Sequence, residues 1–356
     1  MRSKIEMAPR LPLELIRHVA DSCNISSVKL SLALLNKACY RDIISVLYRR
    51  IHISSSKRLF SFAHAFFSAK PSLYLFLRSL KLRIRKIKGT YFPSQVIYEK
   101  IRDVLLVVDN LTELALDVDP EIGLSLLSDH SLELVAFRLK RFSCPYCNEP
   151  DVRKFLSYQN NIEQLDCSDP RGYGLSHPEL ASVEPITLLP ELRCLIAGVQ
   201  NVFRWVPRRP VSKVLVTEPI TSEAIQPIVS AISQATVPLL YLNIHTLWVP
   251  SSSGDSPDIM MWLLGLSDFH KSLEALTFRI APHQEILDFV KVDLDRLKSA
   301  LSHFVALQTL TIEITDSFRI RPLKLKVSEL ERFGLWKEAC PSLRYVSLFG
   351  SRLSCI

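Results

Sequence analysis

One short phrase, apolar-x-x-apolar-x-apolar, constrains this sequence more than anything else in it, because it returns ten times between residue 77 and the C-terminus. The clear copies are Leu77-Leu80-Leu82-Ile84, Leu111-Leu114-Leu116-Val118, Leu132-Val135-Phe137-Leu139, Leu273-Leu276-Phe278-Ile280, Leu307-Leu310-Ile312-Ile314 and Leu343-Val346-Leu348. Weaker copies are Ile162-Leu165-Cys167, Leu192-Leu195-Ala197, Val211-Val214-Val216 and Ile244-Leu247-Val249. Each ends in alternation of period two, which is how a short strand buries one face and shows the other. Measured at the second apolar residue, the steps run from 19 to 36 residues, so the repeat is irregular.

Between the phrases lie stretches with helical spacing. Residues 93–110 place Val96, Ile97, Ile101, Leu105 and Val108 on one side. Residues 150–160, 221–236, 293–304 and 328–340 read the same way, the last opened by a Ser328-x-x-Glu331 capping box. A strand and a helix per unit, none able to bury its apolar face alone, is the logic of a solenoid whose neighbours supply the missing core. Leucine at 56 of 356 residues, against 9 glycines, suits such packed elements. The phrases resemble leucine-rich repeats, without the family's usual Asn or Cys after the strand and with several long units. The fold class expected is α/β, with a leucine-rich-repeat-like solenoid over residues 56–356 and a small all-α module over residues 1–55.

In such an array the residues between buried anchors line one strand surface, where a partner would touch. Lys81, Arg83, Asp117, Arg138, Trp248, Arg279, Glu313 and Tyr345 fall at those positions and are the candidate substrate-binding residues. Mixed charge with exposed aromatics is the chemistry of protein recognition.

Residues 11–51 read as three short helices. The first opens at Leu11-Pro12, with Leu15, Ile16, Val19 and Ala20 on one face. The second uses Leu32 and Leu35, and after Asn36 the third carries Ala38, Ile43, Ile44, Leu47, Tyr48 and Ile51. About fifty residues make a marginal core, so a partner that covers the remaining apolar positions is physically reasonable. The phrases Leu11-Pro12-Leu13-Glu14-Leu15-Ile16, Leu32-Ala33-Leu34-Leu35-Asn36-Lys37-Ala38-Cys39 and Leu47-Tyr48-Arg49-Arg50-Ile51 resemble an F-box, over about a seventh of the chain. Ala69-Lys70-Pro71-Ser72 ahead of Leu77 also looks like the lead into the repeats of fungal F-box proteins. The resemblance implies the substrate-receptor subunit of a Skp–cullin–F-box ubiquitin ligase, with a Skp-type adaptor and through it a cullin as partners, and an unknown protein substrate. It places Leu11, Pro12, Leu15, Ile16, Leu32, Leu35 and Cys39 at the adaptor-docking surface or directly beneath it.

Cys144-Pro145-Tyr146-Cys147 has the spacing of a redox pair, but a lone C-x-x-C is a weak signal, and Cys167 with His177 makes a poor zinc set. No glycine-rich phosphate loop, G-x-S-x-G elbow or H-E-x-x-H pair occurs, so neither enzyme activity nor a cofactor is expected. Residues 1–100 hold 19 Lys+Arg against 5 Asp+Glu, leaving 25 against 31 for the rest, so the N-terminal part suits an acidic partner. The run Lys81, Arg83, Arg85, Lys86 and Lys88 makes a nucleic-acid binder one alternative; a repeat scaffold outside any ligase is another. Scattered cysteines, no secretion signal after Met1 and no 18-residue apolar run point to the cytoplasm or nucleus without membrane association.

Overall fold

The computed structural model describes residues 12–23, 26–68, 71–84, 93–168, 183–220, 222–247, 263, 265–281, 299–314, 333–348 and 351–354. The chain divides into two compact units, Met1–Ser143 with Glu149–Tyr158, and Cys144–Asn148 with Gln159–Ile356.

The first unit opens with three helices, α1 (Leu13–Ser22), α2 (Ser26–Ala33) and α3 (Lys37–Arg49). The Asn36 side chain caps α3 by accepting a hydrogen bond from the Cys39 N–H at 2.9 Å. The helices share a small core of Ala20, Ala33, Cys39, Ile43 and Val46, with Leu13, Ile16, Leu32 and Leu47 packed at its margin. Sequence spacing carries α3 through Ile51, yet the helix stops at Arg49 and Ile51 lies in β1 (Arg50–Ile53), paired with Leu80. Sheet pairing overrides the helical pattern here, because it satisfies a whole row of backbone groups at once.

After α4 (Ser56–Ser68), the strands β2 (Ser79–Ile84), β3 (Glu113–Val118) and β4 (Arg141–Ser143) add in chain order, each parallel to the last. The helices α5 (Ser94–Val107) and α6 (Pro120–Leu127) connect them, and α7 (Pro150–Ser157) completes the unit. On α5, Ile97, Ile101, Val104 and Leu105 are buried, the inward stripe expected from spacings of three and four. Phe155 of α7 packs on Phe142 of β4 with ring centroids 5.4 Å apart.

The second unit holds β5 (Gln164–Asp166), β6 (Cys194–Ala197), β7 (Lys213–Ile220), β8 (Tyr241–Leu247), β9 (Ala275–Ala281), β10 (Thr309–Ile314) and β11 (Tyr345–Leu348), again parallel and in chain order. The helices α8 (Val199–Trp205), α9 (Ile225–Ser233) and α10 (Phe333–Ala339) lie between strands in the sequence. The last strand, β12 (Ser351–Ser354), turns back antiparallel to β11. In each unit the row of strands is open, not closed into a barrel. Leu165, Leu195, Val214, Leu242, Leu276, Leu310 and Val346 pair across successive strands and are all fully buried, forming the spine of this core.

Two strand frames differ from the sequence reading. The copy placed at Leu132-Val135-Phe137-Leu139 is a 3-10 turn and extended chain, and the strand is β4, where Phe142 pairs with Leu114. The copy placed at Ile244-Leu247-Val249 belongs five residues earlier, since Leu242 pairs with Val214 and Leu276. Residues 293–298, and Ser328 and Glu331 of the expected capping box, lie outside the described residues.

A buried arginine ties part of the second unit together. Arg209 is fully buried, and its guanidinium donates to the carbonyls of Leu188 at 2.9 Å, Glu184 at 3.1 Å and Pro185 at 2.7 Å. Longer bonds of 3.3 Å reach the carbonyls of Trp205 and Pro207, and the group lies 5.5 Å from the Trp205 ring centroid. One side chain thus fastens the loop before β6 to the end of α8. Among the described residues, no helix is long and apolar enough to cross a membrane.

Candidate interaction surfaces

The helical segment of the first unit exposes an unusual share of apolar surface. Of the fourteen large hydrophobic side chains that stand well exposed among the described residues, seven fall between positions 15 and 40: Leu15, Val19, Val28, Leu30, Leu34, Leu35 and Tyr40. Leu15 and Val19 are four residues apart on α1, and Leu34, just past the end of α2, donates its N–H to the Leu30 carbonyl at 3.0 Å and so repeats that spacing. Leu34 is 72% exposed and Leu35 62%. A five-residue buried core is small for three helices, and among the described residues these side chains stand outside it.

The seven residues expected at adaptor docking divide by depth. Pro12, at the N-cap of α1, and Leu15 and Leu35 are exposed. Ile16 and Leu32 are half-buried against the core, and Cys39 is inside it. Leu11 lies outside the described residues. Sequence spacing missed Leu30 and Leu34, since a helix with leucines at 30, 32, 34 and 35 does not declare which face is inward.

On the sheet of the first unit, Lys81 and Arg83 are exposed on β2. Arg83 stands opposite Asp117 on β3 and pairs with it at 3.4 Å. Arg138 is not on the sheet: it precedes β4, and its guanidinium donates to the carbonyls of Val135 and Phe137 at 3.0 Å. The basic residues Arg85, Lys86 and Lys88 lie outside the described residues.

On the sheet of the second unit, Arg279 of β9 and Glu313 of β10 stand opposite each other with charged atoms 3.8 Å apart. Tyr345 is half-buried on β11 beside Thr309. Trp248 lies outside the described residues. The corrected frame of β8 brings two further side chains into the same cross-strand rows. Asn243 stands beside Leu215 and Thr277, and His245 stands beside Arg279. Asn243 Oδ1 and His245 Nε2 are buried without a hydrogen-bond partner among the described residues, and burial lowers the His245 imidazole pKa. Such orphaned acceptors are uncommon in folded proteins.

The three cysteines nearest one another in this unit do not have the character of a redox centre. Cys144, Cys147 and Cys167 are buried thiols, and Cys147 Sγ donates to the Cys144 carbonyl at 2.9 Å. Burial raises the pKa of all three, whereas a redox nucleophile needs the opposite shift. Among the described residues no cluster of three His, Cys, Asp or Glu side chains has a metal-holding arrangement, and His177 lies outside them.

No protein-family model matches the chain, and no curated protein matches it in sequence. Among solved structures, it is similar to a crystal structure of a Bacteroides fragilis protein from a structural-genomics programme. That likeness has a TM-score of 0.39 and 12% identity, covers 86% of this chain and 75% of the other, and carries no argument about fold or function.

Proposed function

We propose that this protein is a substrate receptor of a Skp–cullin–F-box ubiquitin ligase: its helical segment docks on a Skp-type adaptor, and its sheets hold a protein substrate. Catalysis then belongs to other subunits. The observation that carries the reading is the exposed apolar face of α1 and α2, on the stretch whose phrases resemble an F-box. A helical segment with so small a core and so many uncovered leucines gains most by packing against another protein. We read the strand–helix units that follow as leucine-rich-repeat-like turns of a solenoid. Support comes from strands that add in chain order within each unit and a fully buried row of anchors.

The test is co-purification of the full chain with a Skp-type adaptor, beside a Leu34→Asp/Leu35→Asp variant. Burying the exposed part of each leucine contributes about 1–1.5 kcal/mol, so the double variant should bind roughly 30- to 150-fold more weakly. Its thermal stability should stay close to that of the parent, because neither side chain is in the core. If the parent chain fails to retain the adaptor at micromolar concentration, the receptor reading is wrong. Retention of other partners in that case would favour a scaffold outside any ligase.

A further inference from the structure

The first unit contains a cleft of about 460 Å³ whose walls are unusually rich in arginine. Arg17 comes from α1, Arg41 and Arg49 from α3, and Arg78 from the residue just before β2. Arg41, Ser45 and Arg49 recur every four residues and so form one stripe along α3. The backbone fixes the fourth member, since the Arg78 N–H donates to the Arg49 carbonyl at 3.0 Å. Among the described residues Asp42 is the only acidic one on the lining, which leaves those residues a formal charge of +3.

The protein's own groups use little of this charge. Arg49 reaches Asp21 at 3.6 Å, and Arg78 donates to the Asn110 carbonyl at 3.1 Å. Arg17 and Arg41 have no ion pair or side-chain hydrogen bond among the described residues. Four guanidinium groups around one cleft repel each other, and an anion between them relieves that repulsion. Guanidinium is also the side chain best shaped to grip phosphate with paired hydrogen bonds.

We propose that this cleft is a binding site for a small organic molecule carrying two or more phosphate groups. Its size lies in the range of small-ligand pockets, roughly 300–1,000 Å³. Val46, Leu75 and Phe76 give it an apolar wall for a carbon skeleton, and its charge exceeds what one phosphate neutralises. The assignment is independent of the receptor reading, because it needs no adaptor and touches neither Leu34 nor Leu35.

The experiment is calorimetric titration of the full chain with inorganic tripolyphosphate at matched ionic strength. Inorganic phosphate serves as the single-group probe. A single-site isotherm is expected, with phosphate at least about tenfold weaker and the affinity falling as salt is added. Arg17→Gln and Arg41→Gln should each weaken tripolyphosphate binding about tenfold, the scale of one charge-assisted hydrogen bond, while Arg193→Gln in the second unit should leave it unchanged. In the unaltered chain, tripolyphosphate should protect Arg17 and Arg41 from phenylglyoxal, which gives a readout that does not depend on a variant folding. No heat of binding, equal binding by the Arg17 and Arg41 variants, or tighter binding to a phosphoserine peptide than to tripolyphosphate would each overturn the assignment.

Discussion

Replacing Arg209 with methionine keeps the length and bulk of the side chain but removes every donor, so it isolates what the guanidinium does. The three shorter bonds, to the carbonyls of Leu188, Glu184 and Pro185, are charge-assisted and contribute about 1.5–3 kcal/mol each if counted singly. Burying the cation offsets part of that sum, as shown by the lowered pKa that burial imposes on the guanidinium. The methionine variant escapes that desolvation cost, yet it strands the carbonyls of the buried Leu188 and Glu184, and breaking one side of such an arrangement typically costs about 3–5 kcal/mol. We therefore expect the second unit to lose about 4 kcal/mol, equivalent to roughly 8–16 °C in Tm for a unit of this size. Arg209→Lys should fall between, because an ammonium cannot reproduce the planar fork. Urea unfolding followed by circular dichroism measures this as a lowered midpoint with an unchanged slope. A loss below about 1 kcal/mol for the methionine variant would refute the reasoning, since it would mean the carbonyls find other partners at no cost.

Acid sensitivity should be traceable to Glu133, whose carboxyl is held down from 4.5 to about 2 by Lys154 and His130. A carboxylate with a depressed folded-state pKa stabilises fully above its unfolded value and loses that contribution as pH falls from 4.5 towards 2. Glu133→Gln should flatten the acid limb of a stability profile in that window, and an unaltered limb would count against it. Gly198→Ala should weaken α8 by about 1 kcal/mol: an added Cβ would occupy the place of the Glu218 carboxylate, which accepts the Val199 N–H at 3.1 Å. Equal thermal midpoints for parent and alanine variant would contradict this. A thiol reagent should label the half-buried Cys23 and Cys194 first and spare Cys144, Cys147 and Cys167 until unfolding; peptide mass analysis would detect the reverse order.

Most strand anchors were legible from spacing alone, because Leu80, Leu114, Leu165, Leu195, Val214, Leu276, Leu310 and Val346 all pair as the repeat implies. The two slips share one cause. Leu139 ends one apolar phrase and begins another, Leu139-x-x-Phe142-x-Cys144, and Ile244 likewise belongs to both Ile244-x-x-Leu247 and Leu239-x-x-Leu242-x-Ile244. Local sequence cannot rank overlapping frames; pairing of Phe142 with Leu114 and of Leu242 with Val214 decides them, and that pairing is non-local. Arg138 left the candidate face, and Asn243 and His245 joined it, for this reason. The arginine cleft was invisible for a different reason: Arg17, Arg41, Arg49 and Arg78 are scattered over sixty residues, and only the packing of α1, α3 and β2 gathers them.

The reversal at β12 bears on how copies of this chain behave towards each other. A row of parallel strands always leaves its final backbone edge free to recruit another strand, which is a route to runaway association. Here the β11–β12 hairpin occupies the edge of Tyr345–Leu348 and substitutes a four-residue border that includes Arg352 and two serines. A border so short and polar is a poor template, so deleting Ser351–Ser354 should bare the β11 edge and increase self-association, which light scattering would detect.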